Sequence, residues 1–189
     1  MKEIVVGLAI GMIAHMIVSA VQIAGGFIDF QMGFAIANVV DPQTGAQSPI
    51  IGQYFYIFAI LFLLSVNGHH LLIDGMFSSF TWIPLDQFVS FQNENIAMFV
   101  IQTFSKMFLI AFQIAMPIVG CLFLVDVALG IMARTVPQLN VFVVGLPLKI
   151  TVSFIAILLF MSLYIVLVKM LFETMFSTMR GLMQLFGGA

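Results

Sequence analysis

Long apolar runs separated by short polar connections organise this chain. Residues 4–28 carry no charged side chain, and about 20 such residues suffice to cross the hydrocarbon core of a bilayer. A second run covers 50–73, uncharged unless His69 and His70 protonate. A third extends from Asn93-Glu94 to Arg134, interrupted only by Lys106, Pro117 and Asp126. The last occupies 150–168 between Lys149 and Lys169, and an amphipathic Met- and Phe-rich tail with Glu173 and Arg180 follows it. The pattern predicts an all-α, multi-helix protein of long and broken helices. As one helix the third run would reach about 60 Å, twice the hydrocarbon thickness. It is either a hairpin broken near Pro117 or a helix that leaves the bilayer inside an assembly.

The connections carry the polar residues. Gly25-Gly26-Phe27-Ile28-Asp29-Phe30-Gln31-Met32-Gly33-Phe34 places three glycines, an acid and a glutamine in an apolar stretch, and Asp41-Pro42 end it. Non-helical backbone at membrane depth survives only where protein buries it or where it lines a wet cavity. The segment is therefore a re-entrant or pore-lining element, or a helix end leading into the turn-rich loop 41–49. Residues 74–95 read as a short amphipathic helix and a connection. Tyr54, Phe55, Tyr56 and Trp82 suit an interfacial aromatic belt. His69 and His70 read as a hydrogen-bonded interfacial pair. Residues 130–149 form a polar island with Arg134, Pro137, Gln138, Asn140, Pro147 and Lys149, which either anchors at an interface or docks on a partner.

Composition fixes the class. Hydrophobic residues make up 62% and charged residues 7% of the chain, against about 25% charged in soluble domains, so a globule could not cover its surface. The chain is an integral membrane protein, read as a single membrane domain over residues 1–189. The opening Met1-Lys2-Glu3 and apolar run imitate a secretory signal, with Val18-Ser19-Ala20 as its cleavage site. The run is too long for a signal, and Gly7 and Gly11 offer a small-residue face for helix packing; the helix is read as retained. The abundant methionines and phenylalanines serve packing and lipid contact, with some suited to a deformable seal.

Several chemistries find no support. A net charge of −2 gives no reason to expect nucleic acid, and Cys121 has no second cysteine to pair with. His15, His69 and His70 lack metal-ligand spacing, and no GxxxxGK[ST], GxSxG or HExxH string occurs. No enzyme activity and no cofactor are expected. Asp126, Lys106 and Asp29 are the intramembrane charges; scattered over separate segments, they read as partners for neighbouring helices or subunits rather than as an ion pathway. Orientation does not resolve, because Arg134 and Lys149 favour one side and Lys169 and Arg180 the other.

The Ala133-Arg134-x-x-Pro137-Gln138-x-Asn140-x-Phe142-x-x-Gly145-x-Pro147 string, the Gly25 to Phe34 segment, Asp41-Pro42 and Asn67-Gly68-His69 together resemble the FliR family of flagellar biosynthetic proteins. That family belongs to the type III secretion export apparatus, whose injectisome members are the alternative assignment. The likeness covers essentially the whole chain, whereas family members usually begin with additional apolar segments, so this sequence is expected to be truncated at its N-terminus. The resemblance implies one subunit of a helically wound export gate with FliP and FliQ, beneath FlhB. It implies a multi-pass place in the bacterial inner membrane at the flagellar basal body, with unfolded flagellar proteins as substrates. It also implies a pore-closing loop over 26–42, with Phe27, Phe30, Met32 and Phe34 as seal, Gly26 and Gly33 as bending points and Asp41-Pro42 as exit. Arg134, Pro137, Gln138, Asn140 and Lys149 would then serve inter-subunit docking. An ion or small-molecule transporter and a purely structural subunit remain competing readings.

Overall fold

A computed structural model describes residues 2–34, 49–82, 94–136, 138 and 140–187; Asp41, Pro42 and Pro137 lie outside them. The described chain is helical: α1 (Lys2–Met32), α2 (Ile50–Ser65), α3 (Gly68–Trp82), α4 (Glu94–Thr135) and α5 (Val141–Gly187). Among the described residues, three helical stretches are long and apolar enough to cross a membrane, Ile4–Met32, Ile96–Thr135 and Val141–Phe186.

Both alternatives for the third run are decided in favour of one helix. The 42 residues of α4 pass through Pro117, and at 1.5 Å per residue they extend about 63 Å. The 47 residues of α5 contain Pro147, Lys149 and Lys169, so the lysines expected to bound a span stand inside a helix. Lysine has good helix propensity and carries its charge on a flexible apolar stem, so it marks a polarity change without ending the helix. The run 50–73 departs from expectation in the other direction. It is cut between Ser65 and Gly68, and α2 and α3 meet at a bend of 74°. Asn67 makes the corner at φ 56°, a left-handed conformation that asparagine tolerates better than most residues.

The helices group into two compact units. Unit 1 comprises Met1–Ala20, Ile57–Ile110 and Val168–Ala189. Its core includes Ile13, Ile17, Leu63, Leu171, Met175, Met179 and Met183, so these three methionines of the tail are interior packing, while Met170 is exposed. Phe62 stacks on Phe172 with ring centroids 6.5 Å apart. Gly181 lets α5 approach Phe99 of α4, whose ring would lie 2.9 Å from an added Cβ.

Unit 2 comprises Val21–Tyr56 and Ala111–Leu167. Val21, Ala24, Ile28, Met32, Phe55, Ile114, Leu122 and Ala156 are buried in its core. Tyr164 of α5 places its ring 4.6 Å from that of Phe55 and donates its hydroxyl to the Phe55 carbonyl at 2.5 Å. That carbonyl belongs to α2, so the bond ties two helices through a side chain. Tyr164→Phe is expected to cost about 0.5–1.5 kcal/mol, the usual net worth of one buried hydrogen bond, read as a lowered melting midpoint of the purified protein.

Candidate functional site

The segment that the sequence singles out, 26–42, starts as helix. Gly26, Phe27, Phe30 and Met32 all lie within α1, and the chain leaves the helix at Gly33. Gly33 has φ +88°, and its N–H donates to the Phe30 carbonyl at 3.2 Å. This is the common glycine end of a helix, where a left-handed residue carries no Cβ penalty. A Cβ on Gly33 would also stand 3.1 Å from Leu146 Cδ1. The bend expected at both glycines is therefore confined to Gly33, while Gly26 continues the helix.

The chain is described again at Pro49, one residue before α2. Pro49 occupies the cap position, and its carbonyl accepts the first helical bond, from Gln53 N–H at 2.9 Å. Proline has no side-chain acceptor to satisfy the free amides of the first turn, which Ser, Thr, Asp or Asn ordinarily do. Asp29 does so from α1: its Oδ2 accepts the Ile51 N–H at 3.0 Å. The carboxylate is 1% exposed, and its other oxygen is buried with no hydrogen-bond partner. One turn earlier on the same face, Gly25 meets Gly52; a Cβ there would lie 2.1 Å from the Gly52 Cα.

Gln31 is two residues beyond Asp29, about 200° around the helix, and so faces the other way. Its side-chain amide donates to Asp126 Oδ2 of α4 at 2.7 Å. Lys149 of α5 pairs with Asp126 Oδ1 and reaches the Gln31 carbonyl at 3.5 Å. A cation beside the last carbonyls of a helix is favourably placed. The last turn of α1 is thus fastened on one side to α2 and on the other to α4 and α5. Both ends of the chain between Gly33 and Pro49 are held by residues of that turn.

The sequence-predicted residues separate accordingly. Phe30 is 73% exposed, Phe27 is partly exposed and meets Phe112 edge-on at 6.4 Å, and Phe34 is half-buried. Met32 is fully enclosed inside the chain and presents no surface. Arg134 in the last turn of α4 and Gln138 in the turn are exposed. Asn140 caps α5, its Oδ1 accepting Phe142 N–H at 3.2 Å and Val143 N–H at 3.4 Å. Lys149, grouped with these for docking, is turned onto Asp126 instead, because an apolar setting drives a cation to the nearest carboxylate. Lys106 is exposed on α4. Gln31, Gly25, Gly52 and Pro49 were not singled out as site residues; the only local hint was the density of Gly and polar residues around Asp29.

The family model described as bacterial export proteins, family 1, matches residues 1–175. The flagellar biosynthetic protein FliR of Bacillus subtilis (strain 168) is 61% identical over 187 residues, 98% of this chain and 72% of that protein. FliR of Escherichia coli (strain K12) is 31% identical over 176 residues, 93% of this chain and 67% of the relative. Yop proteins translocation protein T of Yersinia pestis is 31% identical over 152 residues, 80% of this chain and 58% of that protein.

Proposed function

The chain belongs to the bacterial export proteins, family 1, and we propose that it is a subunit of the flagellar type III protein-export gate, with segment 26–42 as part of its closure. The flagellar form is favoured over the injectisome form by 61% identity to a flagellar relative, against 31% to the Yersinia translocation protein. The observation that carries the closure is the double fastening of the Gly33–Pro49 connection to the last turn of α1. A seal must exclude ions and water yet yield to an unfolded polypeptide. Apolar side chains such as Phe27 and Phe30 on the end of α1, and Phe34 just past the Gly33 bend, meet both demands without specific bonds that would trap a substrate.

In this reading the protein is no enzyme and works in the bacterial inner membrane at the flagellar basal body, with FliP and FliQ beside it and FlhB above. Arg134 and Gln138 offer an exposed polar docking surface. Helices about 63 and 70 Å long suit an assembly that rises out of the bilayer plane. A secondary transporter is disfavoured because it needs an acid free to bind and release its ion, while Asp126 is engaged by Lys149 and Gln31.

Deleting residues 36–46 in a strain that carries this chain, followed by ion-leak and flagellar-export assays, tests the assignment. The expected result is increased ion leak with the complex of this chain, FliP and FliQ still co-purifying. Loss of complex without leak would make the chain a scaffold, and loss of coupled flux would make it a transporter.

A further inference from the structure

Unit 1 contains a cavity of about 380 Å³ between α3 and the tail of α5. Its polar lining is ordered by helical register. Asp74 and Ser78 lie one turn apart on α3, and Arg180 and Gln184 one turn apart on α5. Phe176 and Met183 supply apolar wall. Asp74 and Arg180 line the same cavity without forming an ion pair: among the described residues the one ion pair is that of Lys149 with Asp126.

Asp74, Arg180 and Gln184 are exposed at the edge of this cavity, and unpaired opposite charges beside an apolar wall define a complementary ligand. It needs an anionic group for Arg180 and Gln184, a cationic N–H donor for Asp74, and an apolar body for Phe176 and Met183. We propose that this cavity binds the headgroup of a zwitterionic phospholipid with a primary ammonium, of the phosphatidylethanolamine type. Its phosphate accepts hydrogen bonds from the Arg180 guanidinium, whose planar fork matches a phosphate, and from the Gln184 amide. Its ammonium donates to the Asp74 carboxylate. A choline headgroup has the same charges but no N–H to donate, and an anionic glycerol headgroup brings no cation to Asp74. The site therefore discriminates by hydrogen bonding as well as by charge.

The test uses the purified full chain in detergent, titrated separately with phosphatidylethanolamine, phosphatidylcholine and phosphatidylglycerol, with bound lipid counted by native mass spectrometry. Phosphatidylethanolamine is expected to bind about tenfold more tightly than either competitor, the range of one charge-assisted hydrogen bond. Asp74→Asn and Arg180→Gln are each expected to lower that affinity about tenfold, with helix content by circular dichroism unchanged. Equal retention of the three lipids overturns the proposal, as does a preference for phosphatidylglycerol that Asp74→Asn leaves intact. Equal competition by water-soluble glycerophosphoethanolamine also overturns it, since the ligand would then be a free zwitterion and not a lipid. The ranking by the unaltered protein decides on its own should a variant fail to fold.

Discussion

Gly25→Ala is expected to remove most of the folded protein, whereas Gly26→Ala, one residue along, is expected to leave it intact or slightly firmer. A methyl group on Gly25 would stand 2.1 Å from the Gly52 Cα, 2.3 Å from its nitrogen and 2.9 Å from the Ile51 carbonyl carbon. All three are backbone atoms, so no rotamer change relieves the clash and α2 must shift as a whole. Overpacking a core costs about 1–3 kcal/mol where side chains can adjust, and a backbone obstruction belongs at or above the top of that range. The shift would also pull Ile51 away from Asp29, leaving a buried carboxylate and a free helix end together. At Gly26 an added Cβ meets only a Pro49 carbon at 3.9 Å, ordinary contact. Alanine there recovers up to about 1 kcal/mol of helix propensity. Thermal unfolding of the two variants in detergent, monitored by size-exclusion chromatography, checks the contrast. Equal midpoints for both would mean that α1 and α2 do not pack at this approach.

The same pair of glycines explains what the sequence could and could not convey. Apolar length and scarcity of charge are properties of the chain in one dimension, and the helical class and the candidate spans followed from them. Glycine clustering at 25–33 suggested an interrupted helix, yet α1 continues to Met32. Its glycines are of three kinds: a close approach at Gly25, an ordinary helical position at Gly26, and a true helix end at Gly33. Only the neighbours distinguish them, and Gly52 is far along the chain. The fastening of the loop was hidden for the same reason. Gln31 and Asp126 are 95 positions apart, Gln31 and Lys149 are 118 apart, and Tyr164 lies 109 from Phe55. Asp126 and Lys149 stood out singly as charges in apolar surroundings, but no spacing rule pairs residues on different helices. The corner at Asn67-Gly68 did have a local signal, since Asn-Gly is a turn dipeptide; hydropathy averaged across the run concealed it.

Removing the cation of the α1–α4–α5 junction is expected to do more harm than removing the whole junction. Lys149→Met leaves Asp126 charged, with Gln31 as its remaining donor. Breaking one partner of a buried ion pair costs about 3–5 kcal/mol; the side chains here are 21% and 35% exposed, which moves the expectation to about 2–3 kcal/mol. Asp126→Asn is milder, because an amide still accepts from Gln31 and Lys149 keeps the Gln31 carbonyl within reach. The double variant Asp126→Leu/Lys149→Met removes both charges and should recover most of the loss, since well-packed apolar replacements of ion pairs are often neutral. Two measurements on the same four proteins, melting midpoint and flagellar export, decide what the junction is for. If it is a fastening, both readings follow the order wild type, double variant, Asp126→Asn, Lys149→Met, because export needs only that the stem of the loop be held. If Asp126 carries a proton or ion, the double variant and Asp126→Asn keep their midpoints yet lose export together. That outcome would move the acid from the frame of the gate to its working part.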